Sequence, residues 1–422
     1  MTERLWIFSH YALPPGGGGM SRPFDFATRI ADMGVDVTIF ASSFNHWSGR
    51  EEHLGGGRLY SIERYGNVRY VWLRTPRYRG NGARRVMNMS AYVVMSLLVQ
   101  RRLPAPTAVL GVSAHLLAPL AAYMAARSRG ARFSFEVGDI WPQTLVDVGA
   151  LRAGSMPERL LSALEFFLYR RADRIVALLP RMGDYLEEHG ISRDKVVDVP
   201  NGVDARATGV APVSEAGLAA LAAIRAHHER REMVALYAGA HGLVNRLDVV
   251  VRAARAAQDR HPETGLAFVL MGDGPEKPRL QASARALGLG NVTFLDPVPK
   301  DESTAVIATA DVGLVAMADL AVYRYGLSLN KIFDYWNAGI PIVLSANVPD
   351  DPVSAAGGGV VVPADDADAV AVALARLAAM TGAERNEMGA RGRSVVLRDH
   401  DLDVLARRLA VALGLVAAPA AP

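Results

Sequence analysis

GLSLNKIFDYWNAGIPIVLSA, residues 326–346, reads as a polar segment, a helix, a stop and a buried strand. Leu329, Ile332, Phe333 and Trp336 recur at helical spacing and give the helix one apolar face. Gly339 supplies a C-cap and Pro341 forbids continuation. Ile342, Val343 and Leu344 then form a run suited to a strand covered on both faces. A helix leading directly into such a strand is the rhythm of an α/β chain with a parallel sheet. Lys331 and Asp334 lie three residues apart, so both project from the same side of the first turns. A helix N-terminus with a lysine attracts phosphate, and a neighbouring carboxylate accepts hydrogen bonds from ribose hydroxyls, so the pair suits a nucleotide-sugar. The same spacing also describes a solvated ion pair of little energetic weight.

The rhythm extends in both directions. Towards the N-terminal side of the quoted stretch, Met233 to Ala238 reads as a strand followed by Gly239-Ala240-His241-Gly242, with a helix from Arg246 onward. Leu266 to Met271 is a strand ending in Gly272-Asp273-Gly274-Pro275, and Val292 to Leu295 one ending in Pro297-Val298-Pro299. Further back, Leu5 to Ser9 is a strand, followed by Pro14-Pro15-Gly16-Gly17-Gly18-Gly19 and a helix from Ser21 to Met33. Four glycines let the backbone approach an anion closely, or serve as a flexible connector. The run matches neither the dinucleotide fingerprint nor the P-loop. Residues 45–66 read as a loop. The strand from Ala108 to Val112 ends at Ser113-Ala114-His115, and the one from Arg132 to Val137 ends at Gly138-Asp139. His115 and Asp139 thus stand at the carboxyl ends of successive strands, where ligands gather in open α/β sheets; either could instead cap the helix that follows. The expected organisation is a domain over 1–205, a linker with a helix over 206–232, a second domain over 233–396, and a terminal segment 397–422 whose helix crosses back to the first domain before a frayed tail.

The chain has 422 residues, half of them hydrophobic, enough for two cores. It has no cysteine, which excludes disulfides and thiolate chemistry. No leader peptide is expected, and no run reaches the roughly 18 apolar residues of a membrane span. Between Glu63 and Glu136 stand twelve arginines and no acid. Within that interval Val86 to Val99 is mostly apolar and bracketed by Arg84-Arg85 and Arg101-Arg102, a pattern suited to lying on an anionic membrane. A core helix with solvated basic ends is the other reading. No nucleic-acid motif is present.

Seven segments together resemble retaining glycosyltransferases of family 4, with the GT-B fold, in the WbuB-like branch that builds bacterial O-antigen, capsule and exopolysaccharide. They are PPGGGG (14–19), EVGDIWPQTL (136–145), ADRIVALLP (172–180), VPNGVD (199–204), YAGAHG (237–242), GDGPEKPRL (272–280) and NKIFDYWNAGIPIV (330–343). The resemblance implies two Rossmann-like domains facing across a cleft. It places Asp334 on the donor ribose, and Lys331, with Asn330 beside it, at the diphosphate. Gly239, His241 and Gly242 face the phosphates, Gly272, Asp273 and Gly274 lie beside the nucleoside, and Val298 pairs with the base. Gly16, Gly17, Gly18 and Gly19 would close over phosphates and acceptor, with His115 and Asp139 on the acceptor side. Three departures stand out: Gly326 occupies the place of the first of the family's paired acids, Asp replaces Glu at 334, and Arg246 is the nearest substitute for the usual basic residue after the YAG strand.

The implied activity is transfer of an N-acetylated or deoxyamino hexose, with retention, from a UDP-sugar to a lipid-diphosphate-linked or glycan acceptor. Lys331, His115 and Asp139 would be the catalytic groups. No metal or other cofactor is expected, because no acidic cluster appears and cations of the chain would stabilise the leaving diphosphate. The expected location is cytoplasmic, peripheral on the inner face of the plasma membrane through residues 64–132, and no nucleic acid is bound. A GT-B sugar-nucleotide 2-epimerase and a catalytically silent binding subunit are the alternatives.

Overall fold

Uninterrupted apolar runs make the central strands: all six residues of Leu266–Met271 and all five of Ala108–Val112 are buried, as strands covered on both faces require. A computed structural model of the chain describes residues 2–14, 19–205 and 210–418. The chain divides into two units, Met1–Pro200 with Leu402–Pro422, and Asn201–Asp401.

The first unit holds β1 (Arg4–Phe8), β2 (Asp36–Ser42), β3 (Tyr60–Tyr65), β4 (Val68–Leu73), β5 (Ala108–Val112), β6 (Arg132–Val137), β7 (Arg174–Ala177) and β8 (Val196–Asp198). Their order is β3-β4-β2-β1-β5-β6-β7-β8, parallel except at the β3–β4 edge. Strand β1 pairs with both β2 and β5, so the order reverses beside it. Such a switch point opens a crevice at the carboxyl ends of the strands. On one face, helix Leu402–Ala412 packs against helix Arg22–Asp32, burying Leu405 and Leu409, with Arg29 Nε 2.8 Å from Asp403.

The second unit holds β9 (Met233–Ala238), β10 (Leu266–Met271), β11 (Val292–Leu295), β12 (Val312–Ala316), β13 (Ile342–Ser345) and β14 (Gly359–Val362), all parallel. Their order, β11-β10-β9-β12-β13-β14, reverses between β9 and β12. The stretch that opened the reading becomes helix Asn330–Asn337 and β13, with Ile332, Phe333, Tyr335 and Trp336 buried in the core beneath the sheet.

Two local expectations differ from the structure. Residues 45–66, read as a loop, contain β3, an edge strand whose residues are only half covered. An edge strand has one neighbour and needs no buried run, so its pattern was hidden beside Gly55-Gly56-Gly57. The stretch 206–232, read as a linker with a helix, carries helix Glu215–Glu229, but that helix belongs to the second unit. Ser214 caps it, and Ala220 and Ile224 bury in the core of the second unit. Its alanine-rich face carries too little contrast to mark a core helix in sequence.

One buried group yields a stability prediction. Glu165 is 1% exposed and accepts hydrogen bonds from Tyr169 (2.7 Å) and Tyr185 (3.1 Å). Burial pushes its carboxyl up from 4.5 to about 8. The folded state therefore holds this proton more tightly. That stabilisation is complete below the unfolded pKa and is lost as pH rises towards 8. Glu165→Gln keeps the shape without the charge, so it should melt like the parent near pH 5 and higher than the parent at about pH 9, by a few kcal/mol. Thermal melts of both proteins at the two pH values decide it; a difference independent of pH would contradict the account.

Candidate functional site

In the second unit the loops after β9 and β10 lie back to back. A Cβ on Gly272 would stand 1.9 Å from the Gly239 carbonyl oxygen, and one on Gly274 2.5 Å from that of His241. Both glycines also have positive φ, 142° and 156°, so no other residue fits either position. The His241 amide donates to the Asp273 carbonyl (2.8 Å), and the Glu276 amide to the His241 carbonyl (3.0 Å). This clasp turns the His241 ring inward, where it is fully buried and neither nitrogen has a hydrogen-bond partner. Burial, and then Lys277, push its pKa down to about 4, so the ring is neutral at pH 7. Asp273 itself is exposed.

Lys331 reaches into the switch point from helix Asn330–Asn337, whose N-terminus no side chain caps. Its Nζ donates to Asn245 Oδ1 (2.7 Å) and the Tyr237 hydroxyl (3.1 Å), and lies 4.7 Å from the centre of the Tyr237 ring. Burial lowers the lysine to about 8 and raises Asp334 to about 6, the latter opposed by Lys300 and Lys331. Among the described residues Lys331 and Asp334 form no ion pair; the lysine turns to Tyr237 and Asn245. Both groups therefore carry charge between about pH 6 and 8. Asn330 is exposed at the head of the helix, and Val298 packs its side chain on the core from the loop after β11.

Arg246 is placed differently from the expectation. It sits at φ 39°, with its guanidinium against Asp248 (3.1 Å) and Asp365 (2.6 Å). Two carboxylates compensate the charge offered for a diphosphate. Gly326, at the position of the missing acid, has φ 98°, a conformation L side chains rarely adopt. The backbone there, and not only the side chain, departs from an acid-bearing site.

In the first unit the switch point brings together His10, just after β1, and His115, just after β5. His115 Nε2 is 2.8 Å from His10 Nδ1, and both rings are buried. The His10 ring stacks on Tyr92, centroids 4.4 Å apart. Asn88 Nδ2 donates to Thr75 Oγ1 (2.7 Å) and the Pro76 carbonyl (2.8 Å), which fixes the amide beneath the pair. Its oxygen and His10 Nε2 are both buried without a hydrogen-bond partner, so the proton between the two rings belongs to whichever tautomer donates. His115 Nδ1 is likewise buried with no partner in the protein. Burial, and then Arg85, lower the His115 pKa to about 3, so the ring stays neutral.

Aromatic rings gather around this pair. Tyr11 stacks on His46 (5.1 Å), the Tyr78 hydroxyl meets His46 Nδ1 (2.6 Å), and Arg85 Nε donates to the Tyr11 hydroxyl (3.4 Å). Trp47 lies against Tyr11 and is 49% exposed, with the Gly19 backbone against its ring. Gly16, Gly17 and Gly18 lie outside the described residues. Asp139 is an exposed residue at the end of β6; partial burial of its carboxyl raises its pKa, an effect limited by the water that reaches it. No described contact joins Asp139 to the histidine pair. His10, Tyr11, His46, Tyr78, Arg85 and Asn88 escaped the sequence reading. His10 was within reach: it follows the first strand as His115 follows β5. Among the described residues no group of three or more potential ligands could hold a metal ion.

Comparison with known proteins gives the chain's family and fold. The "Glycosyl transferase 4-like domain" family matches residues 17–202, and "Glycosyl transferases group 1" matches 232–380. WcaI of Escherichia coli (strain K12), whose name assigns it to colanic acid biosynthesis as a glycosyl transferase, is 27% identical over 272 residues. That match covers 61% of this chain and 64% of WcaI, so the chain spans somewhat under two thirds of its curated relative. Among solved structures, the E. coli trehalose-6-phosphate protein bound with UDP-2-fluoro glucose superposes with a TM-score of 0.72 at 14% identity, covering 98% of this chain and 99% of that one. HepE of Anabaena, in complex with UDP and glucose, gives 0.65 at 12%, covering 99% and 100%. WaaG, involved in lipopolysaccharide biosynthesis, gives 0.65 at 14%, covering 98% and 100%. At these identities the structures speak for the fold, which is GT-B.

Proposed function

Because the chain belongs to the glycosyltransferases, whose two domain families match its two halves, we propose that it moves a sugar from a nucleotide-sugar to an acceptor in bacterial cell-surface polysaccharide synthesis. The observation that carries this reading is the partly buried Lys331 at the switch point of the second unit, set between Tyr237 and Asn245 with Asp334 on the same helix.

In this reading the second unit takes the donor. As the bond between the sugar and the diphosphate breaks, negative charge grows on the leaving group. Lys331, the uncapped helix N-terminus and the backbone amides of Ala240 and Gly242 would stabilise it. Asp334 accepts from the ribose hydroxyls, the loop Gly239 to Gly242, anchored by the buried neutral ring of His241, faces the phosphates, Asp273 and its flanking glycines line the nucleoside, and Val298 borders the base. The donor is UDP-linked and its sugar an N-acetylated or deoxyamino hexose, the reading that Gly326 favours by leaving a sugar-binding acid out. The first unit takes the acceptor, a lipid-diphosphate-linked or free glycan, with His115 Nδ1 as the group that accepts a hydroxyl proton or hydrogen bond. Retention of configuration and a place at the cytoplasmic face of the membrane complete the proposal. Among the described residues no helix is long and apolar enough to cross a membrane.

Melting the protein with UDP, GDP, ADP, dTDP and CMP tests the donor half. A ligand at about 100 times its Kd adds roughly 2.7 kcal/mol, a rise of a few degrees. UDP alone should give it. A response to another nucleotide alone would replace the donor, and no response to any would remove Lys331 and Asp334 from a nucleotide site.

A further inference from the structure

We infer that the outward face of helix Ala83–Val99 docks the first unit on an anionic lipid surface. The inference rests on the proposed lipid-carried acceptor only for its purpose; the surface itself is argued from the helix.

That helix is turned inside out. Its buried residues are Asn88, Tyr92, Ser96 and Val99, three of them with polar groups. Those groups are satisfied inward: Tyr92 donates to the Phe40 carbonyl (2.8 Å), Ser96 to the Tyr92 carbonyl (2.7 Å), and Asn88 to Thr75 and Pro76. With the inner face polar, the large apolar residues face out. Val86 is 58% exposed, Met87 60%, Val94 55% and Leu98 55%. Met87, Ala91, Val94 and Leu98 follow spacings of four, three and four, so they form one stripe along the helix. Arg84 and Arg101 continue the same spacing at its two ends, and both are exposed. Met124, on the adjoining helix Leu117–Arg129, widens the apolar strip and is 42% exposed, with exposed Arg127 on the same helix.

An apolar strip left in water calls for a cover. Charge selects which one. The strip lies inside the interval with twelve arginines and no acid. Arg77, Arg79, Arg84, Arg101 and Arg127 are exposed and paired with no carboxylate among the described residues. Two copies of such a face would repel each other. Anionic headgroups would neutralise the arginines while acyl chains receive Met87, Val94 and Leu98, the arrangement of an interfacial helix. At 17 residues the helix is too short to span a bilayer.

The test is sedimentation of the full chain with phosphatidylglycerol-containing vesicles and with pure phosphatidylcholine vesicles. Binding should require phosphatidylglycerol and weaken with salt. The triple variant Met87→Ser, Val94→Ser, Leu98→Ser and the double variant Arg84→Ala, Arg101→Ala should each bind at least about tenfold more weakly, while nucleotide-induced melting shifts stay unchanged. Because the chain has no cysteine, Leu98→Cys carries a single polarity-sensitive dye, whose emission should shift to the blue on the anionic vesicles; this keeps the test open if the triple variant misfolds. Undiminished vesicle binding by both variants, or a dye that stays in water while the protein binds, overturns the inference. So does a dimer that forms without lipid and is lost in the triple variant. Vesicle binding without any nucleotide response would leave this surface standing and remove the donor reading instead.

Discussion

Lys331→Met should lower sugar transfer by at least about a hundredfold, the scale of losing one preorganised donor to a developing anion. Methionine preserves most of the stem that lies over Tyr237, so packing survives while the charge goes. The loss is expected in nucleoside diphosphate affinity as well as in turnover, because the ammonium meets charge present in both ground and transition states. The pH dependence is the sharper signature. Burial holds Lys331 at about 8 and Asp334 at about 6. Above pH 8 the lysine loses its proton and its attraction for phosphate; below pH 6 the carboxyl gains one and accepts ribose hydrogen bonds less well. Affinity for UDP should therefore peak between these values. In Lys331→Met the upper limb should vanish and the lower limb remain. Calorimetric titrations of UDP from pH 5 to 9 on both proteins would show this, and an unchanged upper limb in the variant would take Lys331 off the phosphates.

The second large effect is expected at His115. His115→Ala should cost about 10²–10⁴ in turnover, the range of general acid–base assistance, and little in donor affinity, since the proposed donor residues belong to the other unit. Burial keeps the ring neutral, so no loss of activity down to about pH 4 should trace to its protonation. His10 supplies a discriminating control. His10→Phe keeps a ring to stack on Tyr92 but cannot hydrogen-bond His115 Nε2. It should lower turnover while leaving UDP-induced melting shifts intact. Equal turnover in His115→Ala would remove this histidine from the mechanism.

Much of this molecule is written locally. The runs that become β9, β10 and β13, the glycines that end helices, and the placement of Lys331 and Asp334 on one helical turn follow from spacing, because periodicity and backbone freedom are properties of a few adjacent residues. The clasp of the loops after β9 and β10 announces itself as glycines after two strands. Other features depend on partners far apart in the chain. Lys331 finds Asn245 across 86 residues, and His115 finds His10 across 105, because each sheet reverses its order where those strands meet. The sequence placed Arg246 near the phosphates; only the fold brought Asp365 against it. It marked Val86 to Val99 as an apolar helix with basic ends, compatible with core or membrane. The tertiary structure decided between its faces, since Thr75 and the Pro76 and Phe40 carbonyls offered polar partners inside for Asn88 and Tyr92, and the methionine, valine and leucine stripe was left to the solvent.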